Sequence, residues 1–178
     1  MPASVRLATA HDAAALHRIA ALTFPLACTP HTPAAEKESY IGEQLTEPAC
    51  GRHLDDPTRT LLVAVHDASP ELIGYSMLTS GEPADVDVAG SLRHHPTIEL
   101  SRMYVHPDHH GDGTAGRLMA ATLAQARESG AAGVWLGVSE ENVRANAFYA
   151  KHGFEQVGRK QFRIGDRFED DFVRERPL

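Results

Sequence analysis

Apolar residues recur along the chain at two periods, and the switches between them mark out elements. "VRLA" (Val5 to Ala8) reads as a short strand. Thr9 then offers an N-cap, and Ala13, Leu16, Ile19, Ala20 and Leu22 recur at helical spacing until Pro25, which is expected to end the helix. Between Pro30 and Pro57, prolines and polar residues surround two short amphipathic pieces, "AAEKESYIGEQL" and "PACGRHL". That pattern suits helices laid over a binding face better than a linker, and acceptor specificity is expected there. "TLLVAVHD" and "LIGYSMLT", parted by "ASPE", predict an antiparallel hairpin. "SGEPADVDVAGSLRHHP" is polar and rich in turn formers, so it reads as a long surface loop.

"IELSRMYV" (Ile98 to Val105) predicts another strand, and a glycine-rich loop follows it. Thr114 to Ser129 reads as a helix with Leu118, Met119, Thr122, Leu123 and Ala126 on one side. "GVWLGV" (Gly133 to Val138) is a near-continuous apolar run of the kind buried in parallel sheets. Asn142 to His152 predicts a helix closed by Gly153, and "FEQVGRKQFRIG" and "EDDFVRERPL" close the chain as strands. The order β-α-α-β-β-β-α-β-α-β-β implies an α/β sandwich around a mixed sheet. No repeat or low-complexity segment divides the 178 residues, so one domain over 1–178 is expected.

Composition narrows the function. A hydrophobic content of 42% and a charged content of 23% are ordinary for a soluble globular protein. No apolar run approaches the roughly 20 residues of a membrane span, and the start lacks a signal-peptide core, so no membrane role and a cytoplasmic location are expected. The net charge of −7 argues against nucleic acid as a partner and suits a cationic substrate. Cys28 and Cys50 have no C-x-x-C spacing and read as free thiols. His94, His95, His106, His109 and His110 lie in loops without the spacing that fixes coordination, so no metal is expected.

"HHGDGTAGRL" (His109 to Leu118) fits three phosphate-binding loops at once. Gly111, Gly113 and Gly116 fit G-x-G-x-x-G, and Gly111 with Gly116 fits the first half of a P-loop. His110, Gly113 and Ala115 fit a variant of [Q/R]-x-x-G-x-[G/A], the pyrophosphate loop of acetyl-CoA enzymes. All three aim backbone N–H groups and a helix N-terminus at an anion. A P-loop needs Lys and then Ser or Thr after its last glycine, where this chain has Arg117 and Leu118. A dinucleotide fold needs glycines tight against the strand end and several further βα units, and the residues after Gly116 are too few.

The third loop is followed by "SEENVRANAFYAKHGF", which contains N-x-x-A-x-x-F-Y-x-x-x-G-F. With "IELSRMYVHPDHHGDGTAGRLM" ahead of it, the chain resembles the GNAT superfamily of N-acetyltransferases from about Val5 to its end. His110 departs from the family's usual Gln or Arg. The resemblance implies a GNAT-like, mostly antiparallel sheet with a splayed central parallel strand pair and helices on both faces, and acetyl-CoA as cosubstrate. It implies that backbone groups of Met103, Tyr104 and Val105 align with the pantetheine arm. His110, Gly111, Asp112, Gly113, Thr114, Ala115 and Gly116 would hold the pyrophosphate, and Asn142 would hydrogen-bond the cofactor. Tyr149 would meet the sulfur as the thiolate leaves, and Glu99 falls where some members keep a general base. The C-terminal third looks like bacterial spermidine/spermine N-acetyltransferases in its W-L-G-V, A-F-Y and F-x-x-G-D elements, so the acceptor it implies is a polyamine or another small amine. A peptide amine acetyltransferase and a non-catalytic acyl-CoA-binding module are the alternatives, and a homodimer stays open.

Each candidate also has a plainer reading. Tyr149 on an amphipathic helix would pack, Asn142 would cap its helix, and Glu99 would sit in an ion pair. Arg102 reads as surface, and Glu169, Asp170 and Asp171 as solvent-facing charge. The implied reaction is direct attack of a neutral amine through a tetrahedral oxyanion held by backbone N–H groups. Proton transfer from an alkyl ammonium near 10.4 to a carboxylate near 4.3 is uphill by roughly 8 kcal/mol, which points to desolvation or a water relay. A tyrosine near 10 and a thiol near 8.5 differ by only about 2 kcal/mol, which makes the acid role of Tyr149 the easier one.

Overall fold

In the computed structural model, which describes residues 3–178, the strands are β1 (Ala3–Leu7), β2 (Arg59–His66), β3 (Leu72–Ser80), β4 (Thr97–Val105), β5 (Gly133–Ser139), β6 (Glu155–Ile164) and β7 (Arg167–Pro177). They form one mixed sheet in the order β1-β2-β3-β4-β5-β7-β6. Only β4 and β5 run parallel; every other neighbouring pair is antiparallel. The helices are α1 (Ala13–Ala27), α2 (Ala34–Gln44), α3 (Glu47–Asp55), α4 (Val86–Ser91), α5 (Thr114–Glu128) and α6 (Val143–Lys151).

The helices cover both faces because strand side chains alternate. On one face Leu61, Val63, Tyr75 and Met77 pack against Leu16, Ile19 and Phe24 of α1 and Cys50 of α3. On the other, Leu78, Ile98, Leu100, Val134 and Leu136 pack against Met119, Leu123 and Ala126 of α5. Leu118 and Met119 are fully buried, each stabilising the fold by roughly 1.5–3 kcal/mol. The predicted apolar side of α5 is thus the packed one, with Thr122 tied in by its hydroxyl at 2.7 Å from the Ser76 hydroxyl.

Four local expectations change. Pro25 does not end α1, which runs on to Ala27: the ring removes one donor from the last turn only, where the following residues need no further ladder. Thr9 caps a short 3-10 turn, Ala10–Asp12, which leads into α1. The expected surface loop after β3 contains α4, capped by Asp85 and holding a fully buried Val88 beside Trp135 and Val173. The chain after it is pinned by the buried Glu175, whose carboxylate accepts the Arg93 and His94 N–H groups at 2.9–3.1 Å. Gly116 lies inside the first turn of α5, not in the loop. Both cysteines are free thiols, and among the described residues no helix is long and apolar enough to cross a membrane.

Candidate active site

Strands β4 and β5 are partners only at Thr97–Gly133, Ile98–Val134 and Glu99–Trp135. Beyond that point β4 stays with β3 and β5 stays with β7, so the two parallel strands part. A cleft of about 550 Å³ opens between them and reaches from the glycine loop to α1 and α2. The register of β4 against β3 slips between Met77 and Leu78, leaving Ser101 as the extra residue. Such a bulge swaps the faces of the residues after it. Glu99 precedes it, Ser101 is the bulged residue, Arg102 and Tyr104 follow it, and all four line the cleft. Ser101 holds the bulge by donating to the Met77 carbonyl at 3.1 Å.

The bulge also sorts the backbone groups of β4. His106 N–H donates to the Ile73 carbonyl at 2.7 Å, and the Tyr104 carbonyl lies against Gly74 of β3. Alternation along the strand therefore turns the polar groups of Tyr104 toward β3 and those of Met103 and Val105 toward the gap. Tyr104 thus lines the cleft with its backbone groups turned toward β3. The Val105 carbonyl is already taken by His110 Nε2 at 2.8 Å, leaving its N–H and both Met103 groups for a bound chain.

At one end of the cleft, Gly111 and Gly113 both have φ of 90°, a conformation that side chains strain to adopt. Gly113 caps α5, and Arg117 N–H returns to its carbonyl. Asp112 Oδ1 accepts the Thr114 N–H at 2.8 Å, and hydrogen bonds from Thr114 and His109 hold its carboxyl well below the usual carboxylate range. Of the first four helical N–H groups, those of Ala115 and Gly116 stay without an intrahelical acceptor. Asp112 and Thr114 thus cap each other, which leaves Gly111, Gly113, Ala115 and Gly116 better placed to meet an anion. A Cβ at Gly111 or Gly116 would meet open space, so both remain approachable. Arg144 of α6 was not singled out from the sequence; its Nη1 donates to His110 Nδ1 at 2.6 Å and adds a cation to the rim. His110, unusual at its position, is held as the Nε2–H tautomer between Arg144 and Val105.

Asn142 caps α6 through its Oδ1, which accepts the Ala145 N–H at 3.1 Å, and it also lines the cleft. The capping and cofactor readings are therefore compatible. Tyr149 is half-buried against Phe148 and Phe154, and burial pushes its phenol up to about 12. Asn146, buried in the same helix, donates to the Ser139 and Asn142 carbonyls and fixes the helix start.

The other end of the cleft is built from charged side chains on separate elements. Glu99 is half-buried; burial raises its carboxyl against the pull of Lys160 and Arg59. Asp171, read as solvent-facing, is instead buried at 8% exposure, and desolvation pushes it up to about 6 against Lys160. Lys160 and Asp171 are register partners across the β6–β7 hairpin, and both fill the space left open at Gly137. Glu169 also lines the cleft, receiving the hydroxyls of Thr29 and Thr32, while Asp170 stays exposed as expected. Tyr40 of α2 stacks on Phe24 at 4.4 Å and closes this end, so of the two helices after Pro30 it is α2 that reaches the cleft. His95, His106 and His109 pair with carboxylates, as His109 does with Asp112 at 2.9 Å, and no metal-holding cluster is found among the described residues.

A parted parallel pair, a glycine-capped helix and a tyrosine on the next helix define a family of enzymes. The sequence model of the Acetyltransferase (GNAT) family matches residues 14–154. The chain belongs to the GNAT acetyltransferase family. An uncharacterised N-acetyltransferase of Mycobacterium tuberculosis is 41% identical over 167 residues, 94% of this chain and 98% of the relative. An uncharacterised N-acetyltransferase of Lactobacillus delbrueckii subsp. lactis is 30% identical over 117 residues, 62% of this chain and 68% of the relative. PaiA N-acetyltransferase of Thermoplasma acidophilum, solved with coenzyme A, shares the fold with a TM-score of 0.78 over 100% of both chains at 19% identity. This GNAT protein is thus an acetyl-CoA-dependent N-acetyltransferase. These matches do not confirm the likeness of the C-terminal third to spermidine/spermine enzymes, and the acceptor is read from the site.

Proposed function

We propose that the chain transfers the acetyl group of acetyl-CoA to a primary amine of a small molecule by direct attack, with no covalent enzyme intermediate. One observation carries this reading: the gap between β4 and β5 is a single cleft lined by Tyr149, Glu99 and Asp171. Gly111, Gly113, Ala115 and Gly116 present N–H groups to the pyrophosphate, with Arg144 beside them. Met103 and Val105 offer backbone groups to the pantetheine arm, and Asn142 offers the amide nitrogen its cap leaves free. The Met103 N–H stands where it can meet the oxyanion that develops as the amine adds to the thioester.

The amine must lose a proton as its C–N bond forms and the C–S bond breaks. Glu99 and Asp171, both raised by burial, are better matched to an ammonium than an exposed carboxylate and receive the proton through water. Tyr149 sits at about 12 against a thiol near 8.5, a gap of roughly 5 kcal/mol, wider than its sequence alone suggests. It therefore donates a hydrogen bond to the departing sulfur and keeps its own proton, while the thiolate takes, through water, the proton that the amine gave up to the carboxylates.

Calorimetry with acetyl-CoA, then thiol release with spermidine, spermine, a peptide, an aminoglycoside and amino acids, tests this. Thiol release with formation of the acetylated amine supports transfer. Tight binding without release on any amine identifies a non-catalytic acyl-CoA-binding module instead.

A further inference from the structure

We propose that Arg102, backed by Arg59, is an anion seat in the acceptor half of the cleft, and that the acceptor is an amine that also carries a carboxylate. The inference rests on the transfer reading above. The bulge at Ser101 turns Arg102 onto the cleft wall, half-buried. Among the described residues no carboxylate, carbonyl or hydroxyl lies within hydrogen-bonding or ion-pair distance of its guanidinium, a group with five donors. The other cleft cations differ. Arg59 Nε is paired with the Asp56 carboxylate at 3.1 Å, Arg144 is bonded to the neutral imidazole of His110 at 2.6 Å, and Lys160, without a direct ion pair among the described residues, lies in the field of Glu99 and Asp171.

The surroundings of Arg102 are those of an unanswered cation. Its charge is felt by neutral groups, Cys50, His53, Tyr75 and Tyr104, and His53 is driven down to about 4 by burial and by the arginines beside it. A half-buried guanidinium without a partner is costly, and a bound carboxylate supplies the missing acceptors in the planar geometry its fork favours. With Arg59 committed to Asp56, the seat holds about one free positive charge, which suits a monoanionic carboxylate. Glu99 lies three residues away along β4, about 10 Å. There two carboxylates, Glu99 and Asp171, outnumber the one ammonium of Lys160, which favours the amine end. A small molecule with both groups, an amino acid or close derivative, spans the two poles. A polyamine would put an ammonium against Arg102.

Matched pairs test the proposal. Each of the twenty standard amino acids, β-alanine and γ-aminobutyrate is assayed for thiol release beside its amide, with spermidine as a further acceptor. In the wild-type protein at least one acid is expected to exceed its amide in kcat/KM by about 10- to 100-fold, the scale of hydrogen bonds to a charged partner. In Arg102→Met that ratio is expected to fall to near one, chiefly through KM, and Arg102→Lys should restore part of it. Amides or spermidine used as well as every acid would overturn the proposal, as would an acid preference that survives Arg102→Met. Should Arg102→Met fail to fold by circular dichroism, the wild-type pairs decide alone. Bound acetyl-CoA with no thiol released from any amine overturns the transfer reading itself and the seat with it; turnover without an acid preference overturns the seat alone.

Discussion

The two ends of the cleft are made of different material. At the loop end, the groups that face a ligand are mostly backbone: N–H groups of a loop held open by two left-handed glycines and of a helix start. At the far end they are charged side chains from β2, β4, β6 and β7, brought together by strand register and a bulge. Backbone groups recognise what every member of an enzyme family binds, since any sequence that can bend there supplies them. Side chains recognise what differs, since one substitution alters charge or reach without moving the chain.

If the contrast is right, the loop end is broken by changing backbone freedom. Gly113→Val is expected to abolish acetyl-CoA binding in calorimetry: φ of 90° excludes a β-branched residue, and its Cβ would lie 3.1 Å from Arg117 Nη1. Retained tight binding would mean the loop does not hold the pyrophosphate. At the junction of the two ends, Tyr149→Phe should lower kcat by about ten- to a thousandfold with little change in acetyl-CoA affinity. An unchanged kcat removes Tyr149 from the chemistry.

The far end is sharpened by pH. Asp171 sits at about 6 in the fold and near 3.9 unfolded, so the folded state holds its proton more tightly. Stability from this group is present below pH 4 and is lost as pH rises through 6, by up to about 3 kcal/mol. Asp171→Asn should therefore be more stable than wild type in urea melts at pH 8 and equal to it at pH 4. A kcat/KM profile that keeps the same acidic limb near pH 6 in the variant would remove Asp171 from proton handling. The smallest effect is expected where a side chain intrudes on the backbone end. Arg144→Ala, exposed and screened, should weaken acetyl-CoA binding only about three- to tenfold, less so at high salt.

How much of this is legible in the sequence follows the same division. The strand after Pro96, the glycine turn and the capped helix after Asn142 are local patterns, and each recurs in the structure within a residue or two. Helix α4 was hidden because "DVDVAG" is short and polar, and only Val88 reaches the core. Pro25 misled because a proline's cost depends on how many turns follow it. Arg102 was read as surface because two-residue alternation assumes a regular ladder, and nothing in "IELSRMYV" announces the bulge at Ser101. The pairing of Lys160 with Asp171 was open to inference, since a two-residue turn at Gly165 and Asp166 sets that register, yet their burial was not.

By itself the sequence determined the order of elements, the anion-holding turn and the tyrosine on the helix beyond it, because hydrogen bonding and capping act over a few residues. Only the tertiary structure decided which charges share a cleft and which are answered. Burial and pairing belong to the space between strands, and Arg102, Lys160 and Asp171 acquire their meaning from neighbours far from them in the chain.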